Sequence, residues 1–463
     1  MNRTQAASAM GILFAINAMN FYDRQIPGVL AEPIRKSLGL NDLQFGWLAA
    51  AFTLLYAFVG VPLGRLADRS NRMRILAAGV FFWSLMTAAS GLARNFWQLF
   101  AVRLGVGVGE ATCAPASASL IGDLYPPHQR AKAVSIFMMG LPIGLSLSYL
   151  FSSQIAARYG WQQAFFVAAI PGLLCSILAL FLREPARGSS EVHTTVGAQK
   201  RDGSPYVLVL ATPTMFWLII SGALHNFNMY ALSTFQMPFL TRYHGAELTG
   251  AGRLLTLLTL AGIPGLLVGG FAGDLARRAR PNGRLLVASI AVLLSTPFMY
   301  MALNRPPGDM LGFGLFMALG GGLMFVYYST VYSTIQDVIE PSLRGTAMAL
   351  YFFAMYLFGG SFGPVITGFL SESFTRSAAQ AAGITTLTKE ALEPFRAAGL
   401  HSAMYLIPAL GCVLALVLFA ASFTVRKDMD KLERWMRELG RSPVPDDSGG
   451  QPIRGASAQA AAE

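Results

Sequence analysis

Residues 64–74 read Gly-Arg-Leu-Ala-Asp-Arg-Ser-Asn-Arg-Met-Arg, a short polar stretch between two long apolar segments. A weaker copy, Gly-Phe-Ala-Gly-Asp, occupies residues 270–274, again where an apolar segment ends. After each copy the pattern Asp-x-x-x-Pro-x-x-Arg appears, beginning at Asp123 and at Asp337. Matched positions in the same order predict that the chain consists of two duplicated halves.

The composition predicts a membrane protein. Hydrophobic residues make up 54% of the chain and charged residues only 13%, whereas soluble domains carry about 25% charged residues. A spanning helix needs about 20 predominantly apolar residues. We therefore expect an all-α integral membrane protein with twelve transmembrane helices in two pseudo-symmetric six-helix bundles. The predicted segments are 6–31, 43–64, 73–91, 96–121, 130–153, 161–183, 213–240, 248–270, 284–303, 309–335, 343–369 and 402–425.

The polar segment 184–205 separates the halves, so we expect a bundle in residues 1–183, a linker, and a second bundle in 206–425. Most of the 35 Lys and Arg residues fall in loops and tails that share one side. The positive-inside rule then predicts a multi-pass protein of the cell (inner or plasma) membrane with a cytoplasmic linker and both termini cytoplasmic. The tail, 426–463, is expected to begin with an interfacial amphipathic helix. Its apolar stripe is Met429, Leu432, Trp435, Met436 and Leu439.

Three motifs resemble those of one transporter superfamily. The stretch 64–74 resembles the signature loop of the major facilitator superfamily, and Arg103-Leu-Gly-Val-Gly-Val-Gly109 resembles its fourth-helix motif. Gly140-Leu-Pro-Ile-Gly144 is similar to a shortened form of its fifth-helix glycine motif. This resemblance covers about residues 6–425 and implies the major facilitator fold.

Other stretches are similar to one family within that superfamily, the spinster-like transporters. They are Asn20-Phe-Tyr-Asp-Arg24, Gly107-Val-Gly-Glu-Ala111, Leu120-Ile-Gly-Asp123 and Ser135-Ile-Phe137. This resemblance implies transport of lysophospholipids and sphingolipid relatives. The superfamily's anion–cation symporters carry a similar Asn-Tyr-x-Asp-Arg and Glu-Ala, so a symporter of small organic anions stays an alternative, as does a multidrug exporter. The Gly-Val-Gly-Glu and Ser-Ile-Phe stretches favour the spinster-like family.

Four charged residues interrupt the apolar segments of the first half: Asp23, Arg24, Arg103 and Glu110. Each would cost about 2.5–3.5 kcal/mol at the bilayer centre, or roughly 10 kcal/mol together, if it faced lipid. We therefore expect them to face the interior and pair. Burial favours a protonated carboxyl and a nearby guanidinium favours an ionised one, so the cluster is a candidate proton-coupling site. The alternative is a fixed ion-pair cluster that only positions two helices.

The second half carries aromatic and amide side chains at the corresponding depth, with Met317 and Met324 where the first half has Arg103 and Glu110. A cavity that is ionic on one wall and aromatic on the other would suit an amphipathic substrate. Alternatively, the aromatics only fill helix packing. The candidate cavity residues are Asn20, Tyr22, His225, Asn226, Asn228, Tyr328, Tyr332, Phe353 and Tyr356.

The superfamily resemblance also implies a gating role for the charged loops. Asp68 would lie near Arg130 and the start of the eleventh helix, where the helix dipole favours an acid. Such a contact between halves would latch an outward-open state. The full set of gating candidates is Gly64, Asp68, Arg69, Arg130, Asp274 and Arg344.

No nucleotide-binding or catalytic motif is present: the sequence lacks G-x-x-x-x-G-K-[ST] and H-E-x-x-H. Cys113, Cys175 and Cys412 have no metal-binding spacing, and we expect them to be small buried hydrophobes. The net charge of +11 comes from short loops, which argues against nucleic acid. We expect a monomeric secondary active transporter that needs no cofactor or metal and whose partners are an amphipathic or anionic substrate, protons and the bilayer. A lipid-processing membrane enzyme and a channel or sensor are the competing classes.

Overall fold

The computed structural model describes residues 3–125, 127–182, 184–185, 204–340 and 343–441, and every regular element within these ranges is helical. The all-α fold class is therefore confirmed. Nine segments of the described chain are each long and apolar enough to cross a membrane. The protein is thus a multi-pass membrane protein, as the composition predicts.

Helices occur at all twelve predicted segments. The first half contains α1 (Arg3–Val29), α2 (Asp42–Arg69), α3 (Arg72–Ser90), α4 (Phe96–Leu124), α5 (Ala133–Tyr159) and α6 (Trp161–Leu180). The second half contains α7 (Pro213–Arg242), α8 (Leu248–Ala279), α9 (Gly283–Leu303), α10 (Met310–Val338), α11 (Arg344–Ala381) and α12 (Leu406–Arg441). The helices α1, α2 and α7 are not among the nine apolar segments, but their 27, 28 and 30 residues exceed the length a span requires. The count of twelve spans stays a prediction that these lengths fit.

Polar side chains fix where several helices begin. Asn41 forms a capping box with Gln44 at the start of α2, with its Oδ1 2.8 Å from the Gln44 amide nitrogen. Asn71, inside the polar stretch 64–74, accepts from the Arg74 amide and starts α3. Asp309 does the same for α10 through the Gly312 amide. These caps satisfy amide groups that the first helical turn leaves without partners.

Glycines in the fourth-helix motif allow close helix packing. A Cβ atom added to Gly109 would lie 2.7 Å from the Trp83 Cβ and 2.8 Å from the Gly79 carbonyl oxygen of α3. A Cβ on Gly107 would lie 3.1 Å from the Phe52 carbonyl oxygen of α2. The absence of side chains therefore brings α4 close to both neighbours, and this positions Arg103 and Glu110 in the interior.

The two halves are in close contact at one end of the bundle. We call this the outer end, where α1 leads into α2 through the short helix Ala31–Leu38; the inner end is where α2 leads into α3. A Cβ atom added to Gly46 would lie 2.4 Å from the carbonyl oxygen of Pro364. A Cβ atom added to Gly368 would lie 2.3 Å from the carbonyl oxygen of Asp42. The backbones of α2 and α11 are therefore in contact at the outer end.

Two helices in corresponding places of the halves each contain a π-helical turn: Ser148–Ser152 in α5 and Met355–Ser361 in α11. Such turns free a backbone carbonyl from its usual partner and often occur at functional sites. In α11 the side-chain amide of Asn226 donates to the Met355 carbonyl at 2.9 Å. The π-turns thus bring residues of α5 and α11 to the middle of the interface between the halves.

The last helix continues well beyond the predicted boundary at residue 425. It is unbroken from Leu406 to Arg441, and Asp428 accepts hydrogen bonds from the Thr214 amide (2.8 Å) and hydroxyl (2.6 Å) of α7. Met429 is buried, so the first part of the predicted stripe packs on the protein. Cys113 and Cys175 are buried, but the expectation that Cys412 would be buried is wrong, because α12 exposes it.

Candidate functional site

The site is built around the residues Asn20–Gln25 of α1. Consecutive residues of an α-helix point about 100° apart. Asp23, Arg24 and Gln25 therefore reach three different neighbours: α3 with α4, the interface between the halves, and the pair α5 and α7.

Arg24 forms an ion pair with Glu110 of α4, with 2.7 Å between Nε and Oε2. The Glu110 side chain is fully buried, and 9% of the Arg24 side chain is exposed. Three rings surround the guanidinium: Phe21, Phe52 and Tyr56 have centroids 4.9, 4.4 and 4.8 Å from its central carbon. Aromatic faces attract a cation, so the ring cage stabilises the Arg24 guanidinium in this position.

Asp23 and Arg103 lie behind this pair. Asp23 is 1% exposed and adjoins Trp83 and Thr87 of α3. Arg103 is 2% exposed, and its Nη1 lies 3.5 Å from the main-chain oxygen of Asp23. Within the described chain, Asp23 Oδ1, Glu110 Oε1 and Arg103 Nε have no hydrogen-bond partner. The four predicted charges are thus brought together, but only Arg24 and Glu110 make a direct ion pair.

Gln25 joins the two halves, a role that sequence reasoning missed. Its amide nitrogen donates to the Tyr149 hydroxyl at 2.9 Å and to the Ser233 carbonyl at 3.0 Å. The Ser233 hydroxyl donates back to its amide oxygen at 2.6 Å. The two bonds to Ser233 therefore connect α1 to α7 at the residue next to Arg24, whereas the bond to Tyr149 stays within the first half.

The aromatic wall of the second half faces Arg24. The ring of Tyr356 lies 5.1 Å from that of Tyr56, a member of the cage, and 6.3 Å from that of Tyr230. Phe353 meets Phe58 at 6.0 Å. Tyr328 and Tyr332 pack edge to face at 5.7 Å and are only partly buried. Tyr356 therefore lies next to the ring cage of Arg24, and Phe353, Tyr328 and Tyr332 make further ring contacts on the same two helices, α10 and α11.

His225 is fully buried in the same wall. Its ring stacks on Tyr327 with centroids 3.9 Å apart and meets Tyr328 edge to face at 4.7 Å. Neither ring nitrogen has a hydrogen-bond partner among the described residues.

Other predicted cavity residues make hydrogen bonds between helices. Tyr22 accepts from the Ser152 hydroxyl at 3.0 Å, and Asn228 donates to the Ile407 carbonyl at 3.1 Å. Asn226 donates to the π-turn in α11, and Asn20 is 2% exposed. In this conformation Tyr22, Asn226 and Asn228 bond to neighbouring helices, whereas the buried Asn20 amide nitrogen has no hydrogen-bond partner among the described residues.

The inner end repeats one ion-pair arrangement in both halves. Arg72, at the start of α3, pairs with Asp123 at the end of α4 and with Glu184 at 2.9 Å. Arg284, at the start of α9, pairs with Asp337 at the end of α10 and with the predicted gating residue Asp274 at 2.6 Å. The repeated motifs therefore correspond to repeated contacts.

Of the other gating candidates at the inner end, Arg344 is exposed. The surroundings of Gly64 and the side chains of Asp68, Arg69 and Arg130 lie outside the described part of the chain. The latch between Asp68 and Arg130 stays a prediction.

An ion-pair network at the outer end connects the halves and was not predicted. Arg242, the last residue of α7, pairs with Glu32 and makes two bonds to Asp42, at 2.8 and 2.9 Å. Arg35 bonds to Glu32 and Glu393, both at 3.1 Å. We call these residues, with Arg396 and Glu372, the outer network. Burial by itself would raise the pKa of Glu32, but the charges of Arg242 and Arg35 bring that pKa below its ordinary value.

The comparisons with known proteins agree with this geometry. A model of the Major Facilitator Superfamily matches residues 13–364. The chain belongs to the major facilitator superfamily. It is 29% identical over 373 residues to an MFS-type efflux pump of Mycolicibacterium smegmatis, covering 80% of this chain and 86% of the pump. It is 26% identical over 458 residues to the sphingosine-1-phosphate transporter SPNS2 of Danio rerio, covering 94% of this chain and 88% of that transporter.

A solved structure extends the similarity to the three-dimensional fold. The crystal structure of a bacterial homolog to the human lysosomal transporter Spinster, inward-facing and unoccupied, matches with a TM-score of 0.83 and 28% identity. The match covers 92% of this chain and 99% of that one. The resemblance to the spinster-like transporters is confirmed, and this chain is a membrane transporter.

Proposed function

We propose that this chain is a proton-coupled secondary active transporter of amphipathic, anionic, lipid-like substrates of the lysophospholipid or sphingoid-phosphate class, working by alternating access. The observation that carries the proposal is the buried pair of Arg24 and Glu110 beside an aromatic wall. We further propose that it works as a monomer in the cell membrane with its inner end and both termini in the cytoplasm.

The proposed coupling is a competition for Arg24. While Glu110 is ionised, its carboxylate occupies the Nε side of the guanidinium. A proton on Glu110 removes that negative charge, so Arg24 becomes a free cation inside an apolar cage. An anionic head group then binds there with charge-assisted hydrogen bonds. Proton and anion therefore bind together, and the net charge of the occupied site stays constant for a monoanion.

Asp23 and Arg103 set the background charge of the site. With both carboxylates ionised the four residues sum to zero, and protonation of one or both leaves +1 or +2. Arg103, which makes no direct ion pair among the described residues, contributes a second positive charge beside the two carboxylates. Asp23, enclosed by α3 and α4, is the second proposed proton acceptor.

The aromatic wall supports an amphipathic substrate. Tyr56, Tyr356, Tyr328 and Tyr332 offer apolar faces next to a cation, which suits a lipid-like body attached to a charged head. The relative SPNS2, whose name assigns it sphingosine-1-phosphate, fits the same class. The relative named as an efflux pump supports the second candidate, export of varied amphipathic compounds.

The conformation supports alternating access. The outer network and the contact of α2 with α11 close the outer end, whereas the described ion pairs of the inner end stay within one half. The solved spinster homolog of the same fold is inward-facing. We therefore propose that this conformation is closed toward the outside.

The test is a binding screen followed by counterflow. Purified protein is titrated with lysophospholipids, sphingoid phosphates and small organic anions, and the tightest binder is used in proteoliposomes. We expect a phosphate-bearing lipid to bind best and to drive saturable counterflow. Tight binding of small organic anions alone would instead favour a symporter, and broad weak binding of uncharged amphiphiles would favour the multidrug exporter.

A further inference from the structure

Arg242 differs from the other arginines of the outer network in where its partners come from. Arg35 keeps Glu32 within its own half, and Arg396 keeps Glu372 and Glu393 within the second half. Both carboxylates that hold Arg242, those of Glu32 and Asp42, belong to the first half. When the halves separate at the outer end, Arg242 alone among these three arginines loses every carboxylate partner.

The geometry of the Arg242 guanidinium suits an oxyanion. Its two terminal nitrogens bond to the two oxygens of Asp42 at 2.8 and 2.9 Å, a fork that a phosphate or a carboxylate of a ligand reproduces. Only 8% of the side chain is exposed. A cavity of about 510 Å³, lined also by Lys36 and Arg396, already leads to it from the outside.

We propose that Arg242 is an outer binding residue for the anionic head group of the substrate, occupied in the outward-open state in place of Asp42 and Glu32. This inference rests on the proposed function, because it assumes that an anion passes between the two ends. Glu32, which Arg242 contacts, follows Arg24 by only eight residues and lies in the short helix Ala31–Leu38 that comes directly after α1. The head group would pass from Arg24 to Arg242 and leave when the carboxylates replace it.

The first experiment removes the carboxylates that pair with Arg242 and uses inorganic phosphate as the probe. The double variant Glu32→Gln with Asp42→Asn removes both carboxylates from Arg242. We expect phosphate to raise its melting temperature saturably, and by more than it raises that of the wild type at equal ionic strength, because the wild-type carboxylates compete for Arg242. Adding Arg242→Gln should abolish the response. The control Glu372→Gln removes a carboxylate from Arg396 but leaves Arg242 paired, and it should behave as the wild type.

The second experiment needs no destabilising variant. Spin labels at the exposed positions Ser37 and Glu390 report the separation of the halves at the outer end. Inorganic phosphate or a soluble phosphate-bearing lysophospholipid should increase the population of long distances, and chloride at equal ionic strength should not. A response to free phosphate assigns the site to the phosphate group itself. A response to the lipid alone assigns it to the head group of a bound lipid.

The inference is overturned if neither ligand lengthens the distance and the double variant shows no phosphate response, or if Glu372→Gln responds equally. Neither experiment uses a pH gradient, so a negative result would leave proton coupling untouched. Conversely, if proton coupling fails while Arg242 binds phosphate, only the coupling has to be abandoned.

Discussion

Glu110→Gln distinguishes two roles of the ion pair between Glu110 and Arg24. In one, Glu110 competes with the substrate anion for Arg24; in the other, the pair only holds two helices together. The amide keeps the shape and one acceptor oxygen of the carboxylate but loses its charge. Glu110 is fully buried and its only described hydrogen bond is the 2.7 Å contact with Arg24. If the substrate anion must displace the Glu110 carboxylate from Arg24, the variant should bind the anion more tightly than the wild type at neutral pH.

The size of the effect follows from the bond that is removed. A hydrogen bond to a charged group contributes about 1.5–3 kcal/mol, and 1.4 kcal/mol corresponds to a tenfold change in affinity. We therefore expect the dissociation constant to fall roughly 10- to 100-fold at a pH where Glu110 is ionised. The free energy of unfolding should also fall, by up to about 3–5 kcal/mol, because Arg24 is left without its counter-charge.

The assay is calorimetric titration with a phosphate-bearing lysolipid from pH 5.5 to pH 8. Wild-type affinity should weaken as the pH rises, whereas that of Glu110→Gln should stay tighter and depend less on pH, with Asp23 as the remaining proton acceptor. Glu372→Gln, which removes another buried carboxylate paired with an arginine, should keep the wild-type profile. If the Glu110 variant binds more weakly than the wild type with an unchanged pH profile, the pair is structural and the competition mechanism is wrong.

Three further predictions concern the whole molecule. Single cysteines at the exposed positions of Arg74 and Thr386 should react with membrane-impermeant reagents from opposite sides; labelling from one side would refute the topology. Because the pKa of Glu32 lies below its ordinary value of 4.5, its contribution to the closed outer end is full above pH 4.5 and is lost as the pH falls through the lowered pKa. The outer spin-label distance should therefore lengthen in acid, and an unchanged distance would contradict this role. Asp68→Asn should increase the inward-open population, and identical inner-end distances would exclude the latch.

The sequence was sufficient to predict the positions of the helices and the four charges of the first half. Apolar segments of spanning length and charges that are costly in lipid are local properties, and the structure has helices at every predicted segment. The ion-pair partner of Arg24 was harder to predict from the sequence, because Asp23 is its direct neighbour. The two residues lie side by side in sequence, but about 100° of helical rotation separates them, so Glu110 is the carboxylate that pairs with Arg24.

The contacts between the halves could not be predicted, because they depend on how two bundles are docked. Gln25 bonds to Ser233 across 208 residues, and Arg242 bonds to Asp42 across 200. The periodicity of apolar residues along the sequence does not indicate which residues of the two halves will pair. The amides of Asn226 and Asn228 likewise appeared as cavity residues, whereas the structure uses them as donors to the carbonyls of Met355 and Ile407. A polar residue in an apolar helix indicates that a partner exists, but not whether that partner is a ligand or a neighbouring helix.

The central claim is that titration of Asp23 and Glu110 drives substrate movement, and transport under imposed pH gradients tests it most directly. Proteoliposomes containing wild type, Asp23→Asn or Glu110→Gln are loaded with the lipid substrate found by the binding screen. Uptake or release is then measured with and without a gradient. The account predicts that the gradient accelerates wild-type transport, and that both variants still bind substrate but lose the acceleration. An unchanged response to the gradient in both variants would contradict the account and leave a static cluster that ties α1 to α4.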